Sequence, residues 1–431
     1  MAVDERIVRV IGAVNIGSFR ISAMVAGVTE SGDLTVLGSG HRAAQGIKRG
    51  YVTDMAAATY AVRDAVERAE KLAGTNVQGV WIGCSGAGLS SSITPVEIEI
   101  GGRRIEEEDI EQLLLSAREA LEPDGRMVLH AQPGLYFLDG ADGIANPKGL
   151  HAERLGVDMH VMRAEGAPMR NLKEVVQNAH LEVEGVVASP LAAGHACLTP
   201  EERDLGVALV EFGAQVTNVS VHGGGNLLGL TAIGRGSADI TDTVASAFGI
   251  RRFQAERLKC VHGSAIASPT DHRERIPVTG PGEEQQGPLA RGADEHGRIS
   301  RSDLISTVTG ELDALASDIG RALDKMGEKM GFSGSHARQV VLTGGGAELA
   351  GLADYMQAAL GRPVRIGRPP ALKGLAEAHG VPGFATLAGL VLYAHDDPID
   401  IRTVGPGHQL AHRPAGVATA LRVWRAMKEY F

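Results

Sequence analysis

Three short turns built on glycine hold the residue types most able to do chemistry. They read Asn15-Ile16-Gly17-Ser18-Phe19-Arg20, Glu211-Phe212-Gly213-Ala214-Gln215-Val216 and Thr343-Gly344-Gly345-Gly346-Ala347-Glu348. Each follows an apolar run of strand character. Glycine lets a backbone approach a phosphate closely, and aligned N–H groups in such a turn suit anions. One strand–glycine turn alone is a weak signal, because many bind nothing. Their order carries more: a hairpin turn, helices, a second hairpin turn, then strand–triple glycine–helix late in the chain.

The elements that must position these turns can be read from pattern. Residues 6–15, 21–28 and 34–38 are β-rich and separated by turn signals, which predicts a ribbon of strands. A helix is expected over 54–72, capped by Asp54, and a strand over 77–84. Short strands near 93–100, a helix from the acidic start 106–109 to about 121, strands at 126–132, 136–138 and 156–163, a helix at 169–179 and a strand at 183–187 follow. Residues 206–212 and 216–221 form a hairpin around Gly213, and the triple glycine 223–225 turns into 227–233. This repeats the opening ribbon and marks a duplicated fold. Helices are expected at 237–248, 252–261 and 303–329, and a buried strand at 339–342. Residues 267–298, rich in Pro, Gly and charge, read as a mobile surface loop.

Composition narrows the function. The 431 residues exceed one small core, so two lobes or an interrupted one are expected. A net charge of −10 argues against a general nucleic-acid binder. Cys84, Cys197 and Cys260 stand far apart, which fits a reducing compartment and neither a disulfide framework nor a zinc site. The first residues lack a signal-peptide pattern, and no apolar run approaches the ~20 residues of a membrane span. A cytoplasmic protein with at most peripheral membrane contact is expected. His130, His151 and His160 lack metal-ligand spacing, and Glu106–Asp109 reads as a helix start favoured by the dipole. Ser85 lacks the flanking glycines of a hydrolase elbow.

The last residues, 415–431, form an amphipathic pattern. Val417, Leu421, Trp424, Met427 and Phe431 fall on one face, and Arg422 and Arg425 on the other; Lys428 borders the apolar side and can snorkel. An aromatic apolar face beside basic residues suits an anionic membrane surface. The ordinary alternative is a helix packed on its own domain. A Pro- and Gly-containing polar linker, 395–414, favours the membrane reading. At ~25 cal/mol per Å² a few large side chains yield several kcal/mol before ordering costs, so one such helix is a reversible anchor. Many copies side by side would make it firm.

With these strings in view, the chain resembles the bacterial cell-division FtsA family along nearly all its length. The resemblance rests on 45–50 (Gln-Gly-Ile-Lys-Arg-Gly) with Asp54, on 81–86 (Trp-Ile-Gly-Cys-Ser-Gly), on 130–160 and on 340–347 with 363–367. It implies an α/β, actin-like (ribonuclease H-like), two-lobed duplicated fold with an inserted subdomain and a C-terminal amphipathic helix. Subdomain 1A would comprise 1–85, 164–204 and 367–394, the inserted 1C 86–163, subdomain 2A 205–225 with 301–366, and subdomain 2B 226–300. The family further implies ATP and Mg²⁺ bound through Asn15, Gly17, Ser18, Phe19, Arg20, Glu211, Gly213, Ala214, Gln215, Gly344, Gly345, Gly346 and Glu348. Glu211 would serve the metal, and Glu256 and Lys259 would border the adenosine.

Departures from the family pattern bear on activity. Asn15 stands where Asp is usual, Arg20 where Lys is usual, and Ala214-Gln215 where glycines are usual. Hydrolysis is expected to be weak or absent, and no catalytic residue is assigned. Implied partners are the C-terminal peptide of the tubulin-like division protein FtsZ on 226–300, later division membrane proteins on 86–163, and further copies of the chain in filaments, all at the septum on the inner face of the inner membrane. Two alternatives stay open: a pilus-assembly-type actin-like adaptor, and an active ATPase or sugar kinase of the same fold.

Overall fold

The computed structural model describes residues 6–86, 88–121, 125–280, 289–329 and 337–402. The helix read over 415–431, with its membrane-facing residues, and most of the expected linker lie outside the described residues. Two compact units divide the chain. One comprises Met1–Ser92, Pro123–His130 and Val161–Pro398; the other comprises Ile93–Glu122, Ala131–His160 and Ile399–Phe431.

In the first unit one sheet plan occurs twice. Strands Glu182–Ala188, Gly79–Cys84 and Ile7–Ile16 run parallel, and Ile7–Ile16 continues into the antiparallel pair Arg20–Thr29 and Leu34–Ala43. Val364–Ile366, Val340–Thr343 and Val207–Phe212 repeat the parallel part, and Thr217–Gly223 with Asn226–Ile233 repeat the antiparallel part. Val207–Phe212 is buried at every residue. A near-continuous apolar run of this kind is what a central strand covered on both faces requires.

Helices cover these sheets by their apolar stripes. Met55–Ala73 begins where the Asp54 side chain accepts the Ala57 N–H at 3.0 Å and ends at Gly74 in the left-handed region. Its Ala58, Val62, Ala65 and Ala69 are buried against the first sheet, the spacing of one helix face. Ser237–Phe248, Arg252–His262 and the long Arg301–Lys329 contribute to the second core.

Two buried helices show no signal in the sequence. Ser189–Cys197 and Ala385–Asp396 are buried at most positions, so neither shows a polar–apolar period. The latter extends into the stretch expected to begin the linker, and its Asp396 lies 3.5 Å from His195 Nδ1.

The expected surface loop 267–298 is also partly built into the core. A helical turn Asp271–Arg273 leads to Arg275–Pro277, which pairs antiparallel with Arg298–Ser300. Ile276, Val278 and Ile299 are buried, and Arg301 holds the buried Asp271. Those few apolar anchors are diluted by charged neighbours, which hid them. Residues 281–288 lie outside the described part.

The second unit contains strands and a helix. Parts of Ser90–Glu99, Arg154–Glu165 and Arg126–Leu138 lie side by side in that order, with Ala141–Ile144 at the edge. Arg126–Leu138 is one strand where two had been expected, running straight through Pro133-Gly134. Helix Glu107–Glu119 opens with a reciprocal cap in which the Asp109 side chain accepts the Glu106 N–H at 2.9 Å, and Arg103 pairs with Asp109. Residues 399–402 belong here as well. Ile401 has no exposed surface and donates its N–H to the Ala131 carbonyl at 3.0 Å, while Asp400 takes the Ala131 N–H and pairs with Arg402. The first part of the expected linker is therefore docked. No helix among the described residues is long and apolar enough to cross a membrane.

Candidate functional site: a cleft floor between two matched turns

The two hairpin turns have the same hydrogen-bonded form. Gly17 donates its N–H to the Arg20 carbonyl at 3.2 Å, and Gly213 donates to the Val216 carbonyl at 3.0 Å. A β-carbon at Gly17 would stand 2.8 Å from the Arg20 oxygen, and at Gly213 2.6 Å from the Val216 oxygen. Only glycine closes either turn without a shift. The strand register adds matched pairs just behind: Asn15 faces Ser22, and Glu211 faces Asn218.

Both turns lie at the carboxyl ends of parallel strands, where open α/β sheets bind ligands. The floor between them is polar and buried. Glu211 is 8% exposed, and its carboxylate receives Asn218 Nδ2 at 2.8 Å on one oxygen and the Thr386 hydroxyl on the other. Asn218 Nδ2 also donates to Ser85 Oγ at 2.8 Å. Burial pushes the Glu211 carboxyl up, and the donors from Thr386 and Asn218 pull it down without cancelling the effect. Asn218 Oδ1 and Ser189 Oγ are buried without hydrogen-bond partners. Asn15 Oδ1 and Ser189 Oγ lie 3.3 and 3.4 Å from the point where a Gly83 β-carbon would stand. Unpaired buried groups of this kind mark room for a polar ligand or water.

The third turn leans on the second. Gly344 has φ 85°, and a β-carbon there would lie 2.6 Å from the Phe212 oxygen; at Gly346 it would lie 2.5 Å from the Phe212 ring, whereas Gly345 faces open space. Two of the three glycines thus serve packing, and the middle one leaves bare backbone for a ligand. Glu348 accepts the Gly383 N–H at 3.2 Å. Arg20 donates to the Gly383 carbonyl at 3.3 Å, and its guanidinium lies 3.9 Å from the Phe384 ring centroid. Phe19 is 64% exposed at the tip of the first turn, beside Ser18.

The structure divides the residues picked out in the sequence. Asn15 to Arg20, Glu211 to Gln215 and Gly344 to Glu348 are brought to the ends of the two sheets. Glu256 and Lys259 form an ion pair. The Lys259 ammonium donates to Glu256, the Ser237 carbonyl and the Thr241 hydroxyl at 2.8, 3.0 and 2.9 Å, and it is buried. With its donors used, the pair ties helix Arg252–His262 to helix Ser237–Phe248. Glu211 is the carboxylate on this floor. Each of its oxygens takes one neutral donor and keeps a lone pair that a metal-bound water could use; the glycine turns and the orphaned polar atoms fit a nucleotide. Among the described residues no cluster of three or more His, Cys, Asp or Glu is placed to hold a metal ion by itself. Ser85, Ser189, Asn218 and Thr386 were not read as part of a site. A serine directly after a buried strand was the available signal for Ser85 and Ser189; Thr386 gave none.

A sheet plan used twice, with matched turns at the cleft floor and a second unit inserted into the first half, defines a protein of the actin-like class. The profile described as "Cell division protein FtsA" matches residues 208–389, and that described as "SHS2 domain inserted in FTSA" matches residues 86–163. The FtsA protein of Agrobacterium fabrum is 33% identical over 432 residues, covering 98% of this chain and 95% of its own. That of Escherichia coli K12 is 27% identical over 395 residues, covering 91% of this chain and 92% of its own. The chain belongs to the FtsA family of cell-division proteins.

Solved structures agree on the fold. A PilM–PilN type IV pilus biogenesis complex aligns with a TM-score of 0.62 at 16% identity, over 89% of this chain and 98% of that one. MreB5 of Spiroplasma citri, solved bound to ADP, aligns with a TM-score of 0.52 at 12% identity, over 90% of this chain and 97% of that one.

Proposed function

We propose that this protein tethers FtsZ to the inner face of the cytoplasmic membrane at the division septum. The observation that carries the reading is kinship to cell-division FtsA proteins over nearly the whole chain, joined to the amphipathic pattern of 415–431. The FtsZ tail docks on 226–300, the insertion 86–163 meets later division proteins, and the terminal helix enters an anionic membrane surface through Trp424, Met427 and Phe431. A single short helix holds weakly and reversibly. Self-association into an actin-like polymer multiplies the foothold. Liposome co-sedimentation with FtsZ tests the proposal, comparing the full chain with one ending at Pro414. The full chain is expected to carry FtsZ into the lipid pellet and the shortened one to lose most of that transfer; equal transfer by both would end the tether reading.

The cleft binds ATP, held by the three glycine turns, and turns it over slowly or not at all. Bare backbone at Gly345 and the unpaired Asn218 Oδ1 and Ser189 Oγ support a polar ligand there. Asn15 brings no charge to orient an attacking water, and Glu211 is held by Thr386 and Asn218. Nucleotide is accordingly a structural ligand that favours one arrangement of the two sheets. Equilibrium binding of a fluorescent ATP analogue, paired with a phosphate-release assay, separates binding from turnover; rapid release by the pure protein would refute the slow-turnover part.

A further inference from the structure

The tight hairpin after Ile47–Lys48 carries an anomaly. Lys48 pairs with Tyr51, so Arg49-Gly50 is a two-residue loop, and both residues have positive φ, 50° and 82°. Such a primed turn favours Asn-Gly or Gly-Gly. An arginine in the left-handed region is uncommon and costs conformational energy. What Arg49 touches offers a reason. Its backbone N–H donates to Gln215 Oε1 at 2.8 Å, and its guanidinium lies 3.5 Å from Asp239 Oδ1. Its carbonyl lies 2.8 Å from the point where a Gly86 β-carbon would stand, so the loop is pressed close at that side too.

Both partners belong to the second turn and the helix that backs it. Ser237 and Ala238 donate their N–H groups to the Gly213 and Ala214 carbonyls at 3.0 and 2.7 Å. Asp239 Oδ2 takes the Gly236 N–H at 2.7 Å. The turn, the helix start and Asp239 therefore form one braced piece, and Arg49 grips it twice from the loop that precedes Met55–Ala73. We infer that Gln215 and Arg49 are a built-in latch, which joins the first-half loop to the second turn without a nucleotide and competes with one for the same approach. Gln215 is then the residue that sets nucleotide affinity in this chain. This inference rests on the reading of the cleft as a nucleotide site for its second part only; the latch itself does not need a ligand.

The test uses the full chain and two variants, Gln215→Ala and Arg49→Asn, each checked for an unchanged melting transition. Asn suits the primed turn, so Arg49→Asn removes the Asp239 partner while easing the backbone. Hydrogen exchange of the peptide spanning 46–53 is followed without nucleotide. Loss of one hydrogen bond at the Arg49 N–H is expected to speed its exchange about fivefold in Gln215→Ala. Unchanged exchange in both variants would overturn the latch. Fluorescent-ATP binding is measured in parallel. Gln215→Ala is expected to bind about fivefold more tightly, because the competing contact is gone; equal or weaker binding by a variant whose exchange has risen would overturn the competition. Faster exchange with no ATP bound by any form would uphold the latch and remove the nucleotide reading instead.

Discussion

Asn15 and Glu211 hold equivalent places in the two sheets, as do Gly17 and Gly213, Phe19 and Gln215, and Ser22 and Asn218. The backbones agree down to the hydrogen bond that closes each turn. The side chains do not. On the first side Phe19 projects into solvent and Arg20 lies against Phe384 and Gly383. On the second side Val216 is buried, Gln215 is bonded to Arg49, and Glu211 sits in a closed set of neutral donors. Duplication supplies two turns of one geometry. Once glycine and register secure that geometry, the remaining positions are free to diverge, one toward exposure and the other toward internal ties.

The sharpest way to break this contrast is at the floor. Asn218→Leu removes a donor from Glu211 and from Ser85 at once, and a buried carboxylate short of a partner costs about 3 kcal/mol. Ser22→Ala at the matching place should cost no more than about 1 kcal/mol. Denaturant unfolding of both variants checks the difference. The loss at Asn218 must also depend on pH. Glu211 has a folded pKa raised above its unfolded value, so the folded state holds the proton more tightly. Stability from that source is present at low pH and falls as pH rises through the window from the ordinary carboxylate range up to the raised folded value. Removing the Asn218 donor raises the folded pKa further. The variant's deficit should therefore grow as pH rises above the ordinary carboxylate range; a flat deficit would mean that Glu211 is not charged in the parent floor.

Next in size are the glycines the turns share. Gly17→Ala and Gly213→Ala place a β-carbon against a backbone oxygen at similar distances, which cannot swing away as a side chain would. Each should cost about 2 kcal/mol. If thermal unfolding shows one tolerated and the other not, the two turns are less alike than their hydrogen bonds suggest. Arg20→Met is smaller. It keeps the aliphatic stem over Phe384 and loses the cation and one hydrogen bond, for about 1 kcal/mol. Val216 has no such role on its side, being apolar and buried.

How much of this was legible in the sequence depends on the range of the interaction. The helix Met55–Ala73 was readable because its cap, stripe and closing glycine are neighbours in the chain. The repeated ribbons were readable because alternation and glycine turns are local too. Ser189–Cys197 and Ala385–Asp396 were not, since a helix buried on nearly every side has no period to show. The site divides the same way. Its turns were found from glycine and strand spacing. The ties from Thr386 to Glu211, Ser85 to Asn218 and Arg49 to Gln215 join residues far apart in the chain, and no spacing rule links them. Lys259 follows the same rule: its ties to the Ser237 carbonyl and the Thr241 hydroxyl cross to another helix, and no local spacing announced them.

The smallest effect asks whether the latch belongs to the residue type or to its place. Phe19→Gln gives the first turn the side chain of the second. An exposed substitution of this kind shifts stability by no more than about 0.5 kcal/mol unless a new partner is met. In the first turn the neighbouring backbone N–H, that of Ala44, is already donated to the Phe19 carbonyl at 2.9 Å. A glutamine amide there finds no equivalent of the Arg49 N–H, so neither stability nor exchange across residues 43–46 should change. A gain in protection would show that any glutamine at a turn tip recruits its own donor, and the special conformation of Arg49 would lose its explanation. No gain would leave that strained arginine, and the helix start it grips, as the part of the latch that the second side alone possesses.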